Sequence, residues 1–160
     1  MQEGILSQSI DGQKEISSHS IHIQDMELLR MAKEARNRAY APYSGFMVGA
    51  ALLAESGRIY CGCNIENAAY TPTNCAERTA FFQAVYQGER RFIKIAIAGA
   101  KQGEEAETPC APCGVCRQVM MEFCDPEKFE IILADQQQGC RSYLLKELCP
   151  YGFGPQNLEA

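Results

Sequence analysis

What most constrains this chain is the way its apolar period switches along residues 47–148. "MVGAALLAESGRIYCGCNIE" reads as two strands around the turn Glu55-Ser56-Gly57-Arg58. "TPTNCAERTAFFQAVYQG" places Ala80, Phe81, Ala84 and Val85 at helical spacing, with Asn74 available to cap the start and Gly88 to end it. "RFIKIAIAGA" returns to a period of two, with Ile93, Ile95 and Ile97 on one face. After the loop "KQGEEAETPCAP", "CGVCRQVMMEFC" predicts a second helix with Val115, Val119, Met120 and Phe123 inward. "FEIILAD" reads as a buried strand, "CRSYLL" as a fifth strand and "LLKELCP" as a short helical turn. Strands alternating with helices predict an α/β fold, a three-layer sandwich around a mixed five-stranded sheet.

Upstream, "DMELLRMAKEARNRAYA" puts Leu28, Ala32, Ala35 and Ala39 on one helical stripe, with Asp25 as a candidate cap and "YSGF" as the break. Residues 1–23 are polar and without a sustained period, so they are expected to be a flexible extension before one domain, residues 24–160. They lack the basic and then apolar pattern of a secretory signal. No apolar run approaches the length of a membrane helix. The net charge of −5 argues against general nucleic-acid binding, which usually presents a basic face. Nine cysteines without an export signal suggest a reducing compartment, hence a cytoplasmic location.

The two histidines, His19 and His22, both fall in the extension. Metal binding or acid–base chemistry in the domain must therefore rest on cysteine and carboxylate. In "TPCAPCGVCRQ", Cys110 with Cys113 and Cys113 with Cys116 both fit P-C-x-x-C. The second pair opens a helix, where two sulfurs converge and backbone N–H groups stabilise thiolates. This favours Cys113 and Cys116, since Cys110 is cut off by Pro112. In "NCAERTA", Cys75 stands at another helix start and can add a third sulfur. Three protein ligands on zinc leave one tetrahedral position open, which is the arrangement of a catalytic site. Glu77 could stand beside that position as general acid and base. Each feature also has a plainer reading. Glu77 three residues after Asn74 is the spacing of a capping box. Cys61 and Cys63 could complete a four-cysteine structural site. Asn64 and Glu66 could be a polar strand end, and Phe46 a core residue.

The conjunction of "APYSGFMVGAALL", "GCNIENAAY", "NCAERTA", "PCGVCRQVM" and the terminal "FGP" resembles the zinc-dependent cytidine deaminases, in particular their small homotetrameric three-cysteine class. The resemblance implies one Zn²⁺ per subunit on Cys75, Cys113 and Cys116, with Cys110 a bystander. It implies that Glu77 shuttles protons between the attacking water, the pyrimidine ring nitrogen and the departing ammonia, converting cytidine or deoxycytidine to the uridine product. It places the nucleoside against the segment Asn64 to Tyr70, Ala68 included. Asn64 and Glu66 would hold the ribose 3′-hydroxyl, Phe46 would pack on the base and the Ala76 backbone would contact it. Phe153 of a neighbouring subunit would close the site near Tyr70, so sites would be shared within a homotetramer. The resemblance also gives Arg78 to the ligand sulfurs. Three thiolates and one Zn²⁺ sum to −1, so Arg78 and two helix N-termini would supply the compensating charge. A pyrimidine-salvage role follows. The alternatives are a related deaminase with another cytosine-containing substrate, a non-catalytic zinc-stabilised protein, and a redox C-x-x-C. No role is assigned to Cys61, Cys63, Cys124, Cys140 or Cys149.

Overall fold

The computed structural model describes residues 24–158. The expected N-terminal extension, with both histidines, lies outside them. Helix α1 runs over residues 24–36. It is followed by β1 (Phe46–Ala54), β2 (Ile59–Cys63), α2 (Ala76–Tyr86), β3 (Phe92–Lys101), α3 (Gly114–Phe123), β4 (Glu130–Asp135), β5 (Gly139–Leu144) and α4 (Leu145–Leu148). The five strands form one sheet in the order β2-β1-β3-β4-β5. Only β3 and β4 pair in parallel, and the other neighbours are antiparallel. The sheet is therefore mixed, as the alternation of elements predicts.

The strand residues divide by parity between two covering layers. Ala51, Ala96, Ala98, Ala100, Ile132 and Ala134 pack with Leu28, Leu29 and Ala32 of α1. Ala50, Leu52, Ala54, Ile95, Ile97, Ile131 and Leu133 pack with α2, α3 and α4. Such near-continuous apolar strands are what burial on both faces requires. Beneath α2 the core is aromatic. Phe81 meets Phe92 edge-on at 5.0 Å between centroids and stacks on Phe123 at 6.0 Å.

One glycine decides how closely α2 approaches the sheet. A Cβ on Gly62 would lie 2.4 Å from the Ala76 carbonyl oxygen and 2.5 Å from the Ala80 nitrogen. Only a residue without a side chain lets the first turn of α2 rest on β2.

Several local expectations are corrected. Asp25 does not cap α1, because it lies inside the helix and its carboxylate pairs with Lys94 Nζ at 2.8 Å. Ala39 falls beyond the helix end and is only partly buried. Ile95 and Ile97 are core residues, but Ile93 sits at the uncovered end of β3 and is 40% exposed. Lys94 is buried in its place, because Asp25, and Glu130 at 3.6 Å, satisfy its charge. In α3, Met120 is buried while Val115, in the first turn, is 58% exposed, since that turn stands at the rim. Met121 is buried as well.

Candidate metal centre and nucleoside site

The two helix starts are brought together from opposite ends of the sequence motif pattern. Cys75 is the N-cap of α2 and Cys113 the N-cap of α3, each with extended backbone before the first turn. Cys116 lies one turn into α3. The Sγ atoms of Cys75 and Cys113 are 3.8 Å apart, and those of Cys113 and Cys116 are 3.5 Å apart. Sulfurs about 2.3 Å from a tetrahedral zinc are separated by about 3.8 Å, so the trio fits one ion. Among the described residues no other group of three cysteine, histidine or acidic side chains converges in this way.

The remaining cysteines stay apart from the trio. Cys61 and Cys63, the candidates for a four-sulfur site, line a groove with Met31, Glu34, Arg38, Thr79 and Gln83. Cys63 Sγ donates to the Arg38 carbonyl at 3.2 Å. Cys110 is half-buried beneath β3, where a Cβ on Gly99 would fall 2.5 Å from its sulfur. Burial pushes its thiol up to about 11, the opposite of what a ligand needs.

Cys75 behaves differently. A hydrogen bond from Cys116, and then Arg78 and Cys113, hold its thiol down to about 5, against the opposing effect of its burial. The same pairing with Cys75, together with burial, pushes Cys116 well up. Arg78 is aimed at Cys75, donating to Cys75 Sγ at 3.7 Å and to the Thr73 carbonyl at 3.0 Å. Its Nε is buried without a partner. A part-buried guanidinium beside sulfurs fits a site that must offset thiolate charge.

Glu77 is 4% exposed and lies in the first turn of α2. Burial raises its carboxyl to about 7, and the Cys75 charge adds to the rise. The capping-box reading of Glu77 does not hold. Cys75, not Asn74, is the N-cap, so Glu77 falls one position short of the reciprocal bond. Asn74 instead donates its side-chain amide to Thr79 Oγ1 at 3.1 Å. Ala76, between Cys75 and Glu77, is fully buried.

The segment expected to hold the nucleoside is tied to this centre by backbone. Ile65 and Asn74 exchange N–H···O bonds of 2.9 Å, which fixes residues 64–66 beside the start of α2. Asn64 Nδ2 donates to the Phe46 carbonyl and Asn64 Oδ1 accepts from Val48 N, both at 2.8 Å. Glu66 accepts from the Tyr43 and Ser44 amides and from Ser44 Oγ. The Ser44 and Tyr43 bonds hold its carboxyl below the ordinary range. Phe46, at the start of β1, is 38% exposed rather than core. A Cβ on Gly99 would lie 3.0 Å from its ring, so ring, Gly99 and Cys110 are contiguous. Ala68 and Tyr70 are exposed, and Tyr70 adopts φ +58° with its ring edge-on to Tyr43 at 6.2 Å. Phe153 is exposed, and its carbonyl accepts from Gln118 Nε2 at 2.9 Å. Arg117 donates to the carbonyls of Pro112 and Leu148 at 2.8 and 2.6 Å, anchoring the turn that carries Cys113. Sequence reasoning passed over Ser44, Arg117 and Gln118. Their presence in the quoted motifs was the available signal.

A buried carboxyl two residues after one of three converging sulfurs, on two helix starts of an α/β fold, fits a zinc-dependent hydrolytic deaminase. The family model for the cytidine and deoxycytidylate deaminase zinc-binding region matches residues 22–131, and the chain belongs to that family. It is 47% identical over 132 residues to a cytidine deaminase of Sporosarcina psychrophila, covering 82% of this chain and 93% of the relative. A cytidine deaminase of Halalkalibacterium halodurans is 43% identical over 131 residues, covering 82% and 95%. The crystal structure of cytidine deaminase from Burkholderia pseudomallei superposes with a TM-score of 0.70 at 46% identity, covering 79% of this chain and 97% of that one.

Proposed function

We propose that this protein hydrolyses cytidine and 2′-deoxycytidine to uridine and 2′-deoxyuridine, consuming one water and releasing one ammonia. The observation that carries the reading is the convergence of Cys75, Cys113 and Cys116 within 4.8 Å of one another, with buried Glu77 two residues after Cys75. Cys75, Cys113 and Cys116 would hold one Zn²⁺. When bound, the ion supplies a Lewis acid that makes water nucleophilic near neutral pH.

Glu77 is the proton carrier. Burial raises its carboxyl above the ordinary range, which suits a group that must both take up and give back a proton. It takes a proton from the attacking water and delivers it to the ring nitrogen beside the reacting carbon. It then serves the departing amine. Arg78 offsets thiolate charge, and the N-termini of α2 and α3 add to it. Phe46 packs on the pyrimidine and the Ala76 backbone borders it. Asn64 and Glu66 take the ribose 3′-hydroxyl, with Ala68 and Tyr70 on the same segment. Exposed Phe82, Tyr86, Val115 and Phe153 support association of copies. In the homotetramer we infer, Phe153 of one subunit closes the site of another. No helix among the described residues is long and apolar enough to cross a membrane. A single domain over residues 24–160, a cytoplasmic location and a place in pyrimidine salvage complete the reading.

The test is loss of cytidine ultraviolet absorbance with purified protein, with and without a zinc chelator. Activity that chelation removes and zinc restores is expected. Glu77→Gln should stay folded and zinc-loaded but inactive. Full activity in Glu77→Gln defeats the proposed mechanism. Preference for a cytosine-containing oligonucleotide over free cytidine defeats the proposed substrate.

A further inference from the structure

We propose that Ser44 is a positioning residue whose hydroxyl couples the sugar-binding side chains to the aromatic ring that packs on the base. The proposal rests on the nucleoside reading given under Proposed function.

Glu66 Oε2 accepts from Tyr43 N at 2.8 Å and from Ser44 N at 3.2 Å, which uses both of its lone-pair directions. Glu66 Oε1 accepts from Ser44 Oγ at 2.5 Å and keeps one acceptor direction for a ligand. A hydroxyl has a single proton to give. Ser44 gives it to Glu66 and accepts in turn from Phe46 N at 2.9 Å. The other end of the same residue is held by Asn64, whose Nδ2 donates to the Phe46 carbonyl at 2.8 Å. Asn64 Oδ1 accepts from Val48 N, leaving the amide one N–H for a ligand.

Phe46 is thus gripped at its nitrogen through Ser44 and at its oxygen by Asn64. The two side chains assigned to the sugar hydroxyl are the two that fix the backbone carrying the base-packing ring. A hydroxyl ligand that donates to Glu66 Oε1 meets a carboxylate whose orientation is set by Ser44, the same hydroxyl that accepts from Phe46 N. Sugar and base are then recognised as one unit. Without Ser44, Glu66 loses the donor that orients Oε1, and the Phe46 amide loses its acceptor.

The test is a cycle of two proteins and two substrates. Wild type and Ser44→Ala are assayed with cytidine and with 3′-deoxycytidine, separating KM from kcat. Ser44→Ala should raise KM for cytidine about tenfold, the scale of a hydrogen bond to a charged group. kcat should change by about twofold or less, because the reacting atoms are untouched. For 3′-deoxycytidine the rise should be only about threefold, because the sugar contact is already gone. Ser44→Thr, which keeps the hydroxyl, should restore both values. Zinc content measured on each variant excludes a collapsed metal centre. If Ser44→Ala does not retain zinc, Ser44→Cys takes its place in the cycle. Equal losses for the two substrates, or none, overturn the coupling while leaving the deaminase reading intact. A wild type inactive on both nucleosides removes the nucleoside reading itself.

Discussion

Zinc-free protein should lose stability through Glu77 as pH rises, and Glu77→Gln should remove that loss. Burial raises the Glu77 carboxyl from 4.5 to about 7. A carboxyl raised on folding binds more protons folded than unfolded across that window, so stability falls as pH climbs. The contribution is whole below 4.5 and gone above about 7. At about 1.4 kcal/mol per tenfold change in proton activity, the interval amounts to about 3 kcal/mol. Cys75 works in the opposite sense. Its thiol is lowered from 9.0 to about 5, first by the hydrogen bond from Cys116, so its contribution is whole above 9.0 and fades as pH falls toward 5. Wild-type stability alone therefore mixes two opposed slopes. The difference between Glu77→Gln and wild type reads the carboxyl together with its repulsion from the Cys75 thiolate, which acts in the same direction. Urea denaturation of chelated, thiol-reduced protein should give a difference near zero at pH 4. By pH 8 it should reach about 3 kcal/mol in favour of the variant. A flat difference in the zinc-free proteins, or one of opposite sign, would refute the argument from burial.

Arg78→Ala should lower zinc affinity by about 10- to 100-fold in a chelator competition, with a parallel loss of activity, because it removes the donor to Cys75. Zinc held as tightly as in wild type would sink this account of charge compensation. Gly62→Ala should cost about 1–3 kcal/mol in urea denaturation and loosen zinc as well. The new methyl meets α2 backbone at 2.4 Å and must push the turn bearing Cys75 and Glu77. Lys94→Met should cost about 3–5 kcal/mol by leaving Asp25 buried without its partner, whereas Asp25→Leu with Lys94→Met should recover most of that loss. If the double variant is no more stable than the single one, the loss comes from packing rather than from the unpaired charge.

The layers of the fold were legible because period encodes burial. Ile95 and Ile97 face one helix layer while Ala96 and Ala98 face the other, and a strand covered on both faces must be apolar at every step. Period fails where an element leaves its cover, as at Ile93 and Val115. It also fails where a polar side chain finds a distant partner. Nothing in the alternation of β3 says that Lys94 will meet an aspartate 69 residues earlier. The metal centre was legible for a different reason. Thiolate ligands prefer helix starts, and helix starts carry short-range signals such as Pro112 before Cys113. Pro112 already set Cys110 apart from the helix start, but the spacing alone did not say where its thiol would lie. The structure buries it under Gly99 and drives its thiol up to about 11, while Cys75, 38 residues from Cys113, is lowered to about 5 beside Arg78. Cys75 and Cys110 differ in the field they sit in as well as in their local sequence. At Cys75 that field comes first from the hydrogen bond with Cys116 and then from Arg78 and Cys113. The clamp of Ser44, Asn64 and Glu66 on Phe46 is of the same kind. Each member reads as an ordinary polar loop residue until the bridge between Ile65 and Asn74 sets the loop beside α2.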